Sequence, residues 1–202
     1  MFEPIESEID ELQLAISLPE LDSVVNGTLL PFDALTASSL SDSIFDALFV
    51  SGTFAEQSKE LSQVCVDKRI ELVVLENPTN DLTVIHDVVI NLVDKLFSDE
   101  MPNNIDLADL RLLNQYSDHL LAFNNKCAAI NYMSTQKLGV VMGGVYLAHG
   151  QTDLDEYENT NQDLIHHIPE TGFLCSSYHS LGRSECTILI GIKRLGKLDN
   201  QR

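Results

Sequence analysis

The architecture of this chain hangs on DSIFDALFV, residues Asp42 to Val50. Taken as a short helix, it places Ile44, Phe45, Leu48 and Phe49 on adjoining faces. Upstream, Ile5, Ile9, Leu12 and Ile16 are spaced by 4, 3 and 4 residues, which is one helical face, and Pro19 would stop that helix. Gly27 and Pro31 mark turns between the two pieces. Lys59 is the first basic side chain, and eleven carboxylates precede it. The pattern predicts an acidic amphipathic N-terminal arm over residues 1–52, followed by a body over 53–202. Short amphipathic pieces joined by breakers do not bury their apolar faces alone. The arm must therefore lie on its own body or on a partner.

Downstream the periodicity is more regular. Thr53 and Glu56 fit a capping box ahead of a helix carrying Phe54, Leu61, Val64 and Cys65. Ile70 to Leu75 reads as a buried strand closed by Asn77-Pro78. Asn80 is placed to cap a helix whose Leu82, Ile85, Val89, Leu92 and Leu96 repeat at 3, 4, 3 and 4. A longer helix is expected from Ile105 towards Gln136, interrupted or kinked at Asn124-Asn125. Val140 to Ala148 reads as a central strand with a bulge at Gly143-Gly144, and the acidic 151–162 segment as a loop. Phe173–His179 and Cys186–Ile192 read as a hairpin around Leu181-Gly182-Arg183. Helices grouped early and strands grouped late predict an α+β body of about three helices and a small mixed or antiparallel sheet.

The 202 residues carry 31 acidic against 12 basic side chains, a formal charge of −19. Such a surface repels phosphate backbones and anionic lipid, so direct nucleic-acid and membrane partners are not expected. The hydrophobic fraction of 44% is that of a folded chain. The first ten residues carry four carboxylates and no basic residue, unlike a secretory signal. The longest apolar stretch, Val140 to Ala148, is half a membrane span. Cys65, Cys127, Cys175 and Cys186 form no CxxC pair, so free thiols in a reducing cytoplasmic setting are expected.

The chemistry-bearing motifs are sparse. Walker A, GxGxxG, HExxH and GxSxG patterns are absent, and Gly139 to Gly144 lacks the lysine of a phosphate cradle. Cys175, His179 and Cys186 are of zinc-ligand type, with His166 and His167 upstream, but a fourth ligand must come from elsewhere. Cys175 and His179 would lie about 13 Å apart along a strand, too far for a nucleophile–base pair. Counted from Asp153, Glu158 and Leu164 stand where a calcium loop needs Gly and Glu. No cofactor or metal is expected.

These observations lead to the expectation of a non-enzymatic structural or assembly subunit of a multi-protein particle, such as a virion component. Its partners would be other protein subunits, copies of itself included. Ile44, Phe45, Leu48 and Phe49 of the arm would make the contact, against a basic C-terminal cluster that includes Lys193, Arg194 and Lys197. Two alternatives come from other classes: an acidic nucleic-acid mimic that binds a basic partner, and a metal-dependent enzyme built on the His/Cys cluster.

Overall fold

The computed structural model describes residues 12–98, 100 and 104–195. Its N-terminal third contributes β1 (Leu14–Ser17), β2 (Thr28–Leu29), α1 (Ala37–Leu40), β3 (Ala47–Val50) and α2 (Ala55–Lys68). Then come β4 (Glu71–Glu76), α3 (Leu82–Leu96), α4 (Leu107–Tyr116), β5 (His119–Phe123) and α5 (Lys126–Thr135). The chain closes with β6 (Gly139–His149), α6 (Leu154–Ile165), β7 (Phe173–His179) and β8 (Cys186–Arg194). The strands form one eight-stranded sheet in the order β2-β1-β3-β4-β5-β8-β6-β7. Seven strands run parallel, and β8 is inserted antiparallel between β5 and β6.

Helices cover both faces of the sheet. On one face, Leu14, Ile16, Phe49, Val73, Leu75 and Leu120 meet α3 and α4 through Val88, Leu92, Leu110 and Leu113. On the other, Ala15, Leu48 and Val50 meet α1 and α2 through Leu40, Leu61 and Cys65. Further along that second face, Phe123, Tyr146, Ile188 and Ile190 meet α5 and α6 through Ala129, Met133 and Leu164. The result is an open, doubly wound α/β sheet in three layers, with helices alternating between strands.

The expected α+β body with a separate arm is thus corrected. Among the described residues there are six α-helices, not about three, and the sheet is large. Residues 47–50 form an interior strand: β3 pairs with β1 on one side and β4 on the other, with all four of its residues buried. The helical face expected over 5–16 is contradicted at its end, where Leu14–Ser17 is β1, likewise fully buried; residues 1–11 lie outside the described residues. Four-residue strands covered on both faces have no polar alternation, so their apolar runs mimic a helical face.

Other elements also departed from expectation. The single helix over 105–136 is two helices with β5 between them, and Asn125 begins the second by accepting the Ala128 N–H. The acidic 151–162 segment is mostly α6, started by the Asp153 cap. β7 and β8 are not a hairpin, because β6 lies between them. The bulge expected near Gly143 is present, as a register shift between Val141 and Gly143 against β8.

Candidate functional site at the carboxyl edge of the sheet

Because β1 to β7 run parallel, their carboxyl ends share one edge, where α/β sheets bind ligands. The loop after β4 is built on Asn77. Its Nδ2 donates to the Ala122 carbonyl of β5 at 3.0 Å. Its Oδ1 accepts from the Thr79 amide at 2.9 Å, the Thr79 hydroxyl at 2.6 Å and the Asp81 amide at 3.2 Å. Asp81 then caps α3 by accepting from the Thr83 and Val84 amides. After β5, Asn124 Nδ2 donates to Asp87 Oδ2 of α3 at 3.0 Å. Both loops are therefore tied down at their bases, one to β5 and the other to α3.

Between these loops and α5 opens a cleft of about 400 Å³. Pro78, Val84, Phe123, Ala128 and Tyr132 supply its apolar wall, and Thr79, Asn124, Asn131 and Thr135 its polar rim. Phe123 and Tyr132 pack with ring centroids 5.5 Å apart at 46°. No charged side chain lines this cleft. Volume and lining fit a small molecule with an apolar body and a few hydrogen-bonding groups.

Further along the edge, the ends of β6 and β7 carry a buried polar network. Asn91 of α3 donates to the Arg183 carbonyl at 3.0 Å and to Thr187 Oγ1 at 2.9 Å, and accepts the Arg183 amide at 2.9 Å. His149 Nδ1 lies 3.1 Å from the Ser184 carbonyl, and Nε2 3.1 Å from Thr187 Oγ1. A carbonyl only accepts, so Nδ1 carries a proton, and in the neutral ring Nε2 then accepts from the Thr187 hydroxyl. Burial is the main cause of the lowered His149 pKa, partly opposed by the Ser184 carbonyl. Gly182 lies against its ring, where a Cβ would come within 2.3 Å.

His179 sits edge-on to His149, with ring centroids 6.1 Å apart. Its Nδ1 is 3.7 Å from Glu100 Oε2. Burial lowers its pKa, and the Glu100 carboxylate partly opposes that. Glu100 accepts from the Ser180 amide at 3.0 Å and from the Ser180 hydroxyl, and its carbonyl takes the Lys95 ammonium at 2.8 Å. The Ser180 hydrogen bond is the main cause that holds the Glu100 carboxyl below its usual range. Lys95 is fully buried, and burial lowers its pKa against the pull of Glu100.

The sequence-flagged residues separate. His179 joins the network, whereas Cys175, on the same face, donates to Asp109 Oδ1 of α4 at 3.3 Å. Cys186 faces the opposite core and pairs in register with Ala148. Burial pushes both thiols up to about 12, the Cys175 thiol helped by Asp109. Among the described residues no group of three or more His, Cys, Asp or Glu is placed to hold a metal ion. His166 and His167 meet edge-on just after α6, with ring centroids 5.6 Å apart. Of the arm residues, Leu48 and Phe49 are fully buried, Phe45 is half-buried against the α2 core, and Ile44 is exposed. Lys193 and Arg194 are exposed at the end of β8, and Lys197 lies outside the described residues. The network residues that sequence reading missed include His149, Glu100, Asn91 and Lys95. For Asn91 and Lys95 the signal was a polar side chain on the buried stripe of the most regular amphipathic helix.

No family model matches the sequence, and no curated protein matches it. Among solved structures the chain is similar to CetZ from Methanosaeta thermophila strain DSM 6194, at 15% identity and a TM-score of 0.43. The likeness covers 90% of this chain and 61% of that one, so the chain spans about three-fifths of that protein's length. The expected virion-type assembly subunit is corrected: the arm meant to reach a neighbour supplies the interior strands β1 and β3 of the sheet. The same placement leaves no separate acidic arm, within the described residues, to serve as a nucleic-acid mimic. The metal-enzyme alternative loses its cluster, because Cys175 and Cys186 lie on opposite faces. Among the described residues no helix is long and apolar enough to cross a membrane.

Proposed function

We infer that the protein is a non-catalytic binding module for a small, uncharged molecule with a flat apolar body. The observation that carries this reading is the cleft beside Phe123 and Tyr132: concave, at the carboxyl edge, and without a charged lining residue. A net charge of −19 disfavours anionic ligands at long range, which agrees with an uncharged occupant. The non-catalytic part has its own support. The thiols of buried Cys65 and Cys186 and half-buried Cys175 are held protonated, outside the cleft, and His149 spends both ring nitrogens on fixed partners.

Titration with 2-naphthol, followed by its fluorescence, tests the reading. Saturable binding is expected, with Tyr132→Ala weakening it about tenfold, the equivalent of ~1.4 kcal/mol. The urea midpoint should change little, because Tyr132 is only half-buried. Non-saturable binding, or equal affinity in Tyr132→Ala, refutes it.

A further inference from the structure

On the polar rim of the Phe123–Tyr132 cleft, the protons of two hydroxyls are already committed within the protein. Thr79 donates its hydroxyl proton to Asn77 Oδ1 at 2.6 Å. Thr135, at the end of α5, donates its own to the Asn131 carbonyl at 2.7 Å. A hydroxyl has one proton and two lone pairs, so each of these can offer the cleft only lone pairs. Asn77, at the base, has its Oδ1 filled by Thr79 and Asp81.

The orientation of Asn124 is decided from outside the cleft. Asp87 of α3 does not line the cleft, but its Oδ2 accepts from Asn124 Nδ2 at 3.0 Å. A carboxylate only accepts, and the reversed amide would set oxygen against oxygen, so the nitrogen faces Asp87 and Oδ1 is the end left for the cleft. The backbone of this turn is held as well, because the Asn124 carbonyl accepts the Cys186 amide at 3.4 Å. The negative charge of Asp87 behind the amide polarises it and makes Oδ1 the stronger acceptor. Asn131 is exposed and can turn either end of its amide inward, so it does not discriminate.

We propose that this cleft selects its occupant by the proton it donates: a flat arene bearing an O–H or N–H, bound through Asn124 Oδ1 and the hydroxyl oxygens of Thr79 and Thr135. Asp87 is the positioning residue, acting through Asn124. The proposal rests on the cleft reading above and narrows it. Phenols, indoles and neutral aryl amines fit, whereas an arene of the same size without a proton to give leaves these acceptors unmatched.

Fluorescence titrations of the full chain with 2-naphthol and with 2-fluoronaphthalene test the selection. The two share a ring system and nearly the same size, and only the naphthol has a proton to give. 2-Fluoronaphthalene is the more apolar, so burial alone would favour it. Wild type is expected to bind 2-naphthol about fivefold tighter, the worth of one hydrogen bond. In Asp87→Asn the side chain at 87 can donate as well as accept, so Asn124 is free to turn. The preference should then drop below about twofold, with the affinity for 2-fluoronaphthalene unchanged. Equal affinities in wild type, or tighter 2-fluoronaphthalene, overturn the proposal and leave the cleft reading standing. A preference undiminished in Asp87→Asn overturns it too. Saturation by neither arene removes the cleft reading and the proposal with it. Should Asp87→Asn fail to fold, the two wild-type affinities still decide.

Discussion

Lowering the pH from 7.5 to 5.5 should destabilise this protein before its carboxylates begin to titrate. His149 and His179 are 5% and 4% exposed, and burial lowers both pKa values below the ordinary 6.5. Asp87 faces His149, while Asp94, Lys95 and Glu100 face His179, and the rings face each other. With the folded values depressed, the unfolded chain binds more protons below pH 6.5. The stability is therefore fully present above 6.5 and is lost as pH falls from there towards the folded values. A histidine that stays neutral in the fold costs about 1.4 kcal/mol at one unit below its unfolded pKa. Two would cost about 2.8, and the Glu100 carboxylate, which draws a proton to His179, lowers that figure. With a urea slope of about 2 kcal/mol/M, the midpoint should fall between pH 7.5 and 5.5, by at most about 1.4 M. Urea titrations at pH 7.5, 6.5 and 5.5 measure this directly. His149→Gln keeps an amide for Thr187 and Ser184 but cannot titrate, so the fall between 6.5 and 5.5 should shrink to about half. A midpoint flat across the range, or a fall undiminished in both His149→Gln and His179→Gln, would refute the reasoning.

Two further outcomes follow from the fold. Phe49→Ala, in the middle of the sheet and fully buried, should cost about 3–5 kcal/mol in urea unfolding; a loss below 1 kcal/mol would mean that residues 47–50 are not an interior strand. Of the four free cysteines only Cys127 is exposed, while burial raises the Cys65 thiol to about 11 and those of Cys175 and Cys186 to about 12. One thiol per native chain should therefore react rapidly with a disulfide reagent at pH 8 and the other three only on unfolding. Two or more rapid thiols would contradict the placement of Cys65, Cys175 and Cys186.

How far the sequence reached depends on how each element shows its environment. α3 was legible because it has one apolar stripe and one wetter side, and β4 because its β-branched run ends at Asn77-Pro78. β1 and β3 were not, since a strand of four residues covered by helices on both faces leaves no polar position to betray a two-residue period. The same misreading turned an interior into an arm and the arm into an interface. β5 was lost inside a presumed long helix because Leu120, Leu121 and Phe123 continue an apolar pattern whose only break is Asn124-Asn125. The hairpin error came from chain order: β7 and β8 are consecutive in sequence, but β6 pairs with both. Of the candidate site, His179 was visible by type. The cleft was not, because Pro78, Phe123 and Tyr132 become neighbours only through the β4–β5 pairing.

The most informative residues of the site were those that broke a pattern. α3 carries Val84, Asp87, Asn91 and Lys95 at steps of 3, 4 and 4, a second stripe beside its apolar one. In the structure these four meet, in order, the apolar cleft, Asn124 of its rim, the turn after β7, and Glu100 beside His179. A helix needing only to cover a sheet would place Leu or Val at 91 and 95, because an unpaired buried amide or ammonium costs several kcal/mol. Asn91 has both amide N–H groups and its oxygen engaged by Arg183 and Thr187, and Lys95 its ammonium held by the Glu100 carbonyl. These are specific, geometry-dependent pairings. Apolar replacements at 91 and 95 would still pack, but would remove the Asn91 bonds to the Arg183 amide, the Arg183 carbonyl and Thr187, and the Lys95 bond to the Glu100 carbonyl. The stripe thus fixes the relative position of the cleft and the histidine network. Both halves of the carboxyl edge are set by the placement of one helix.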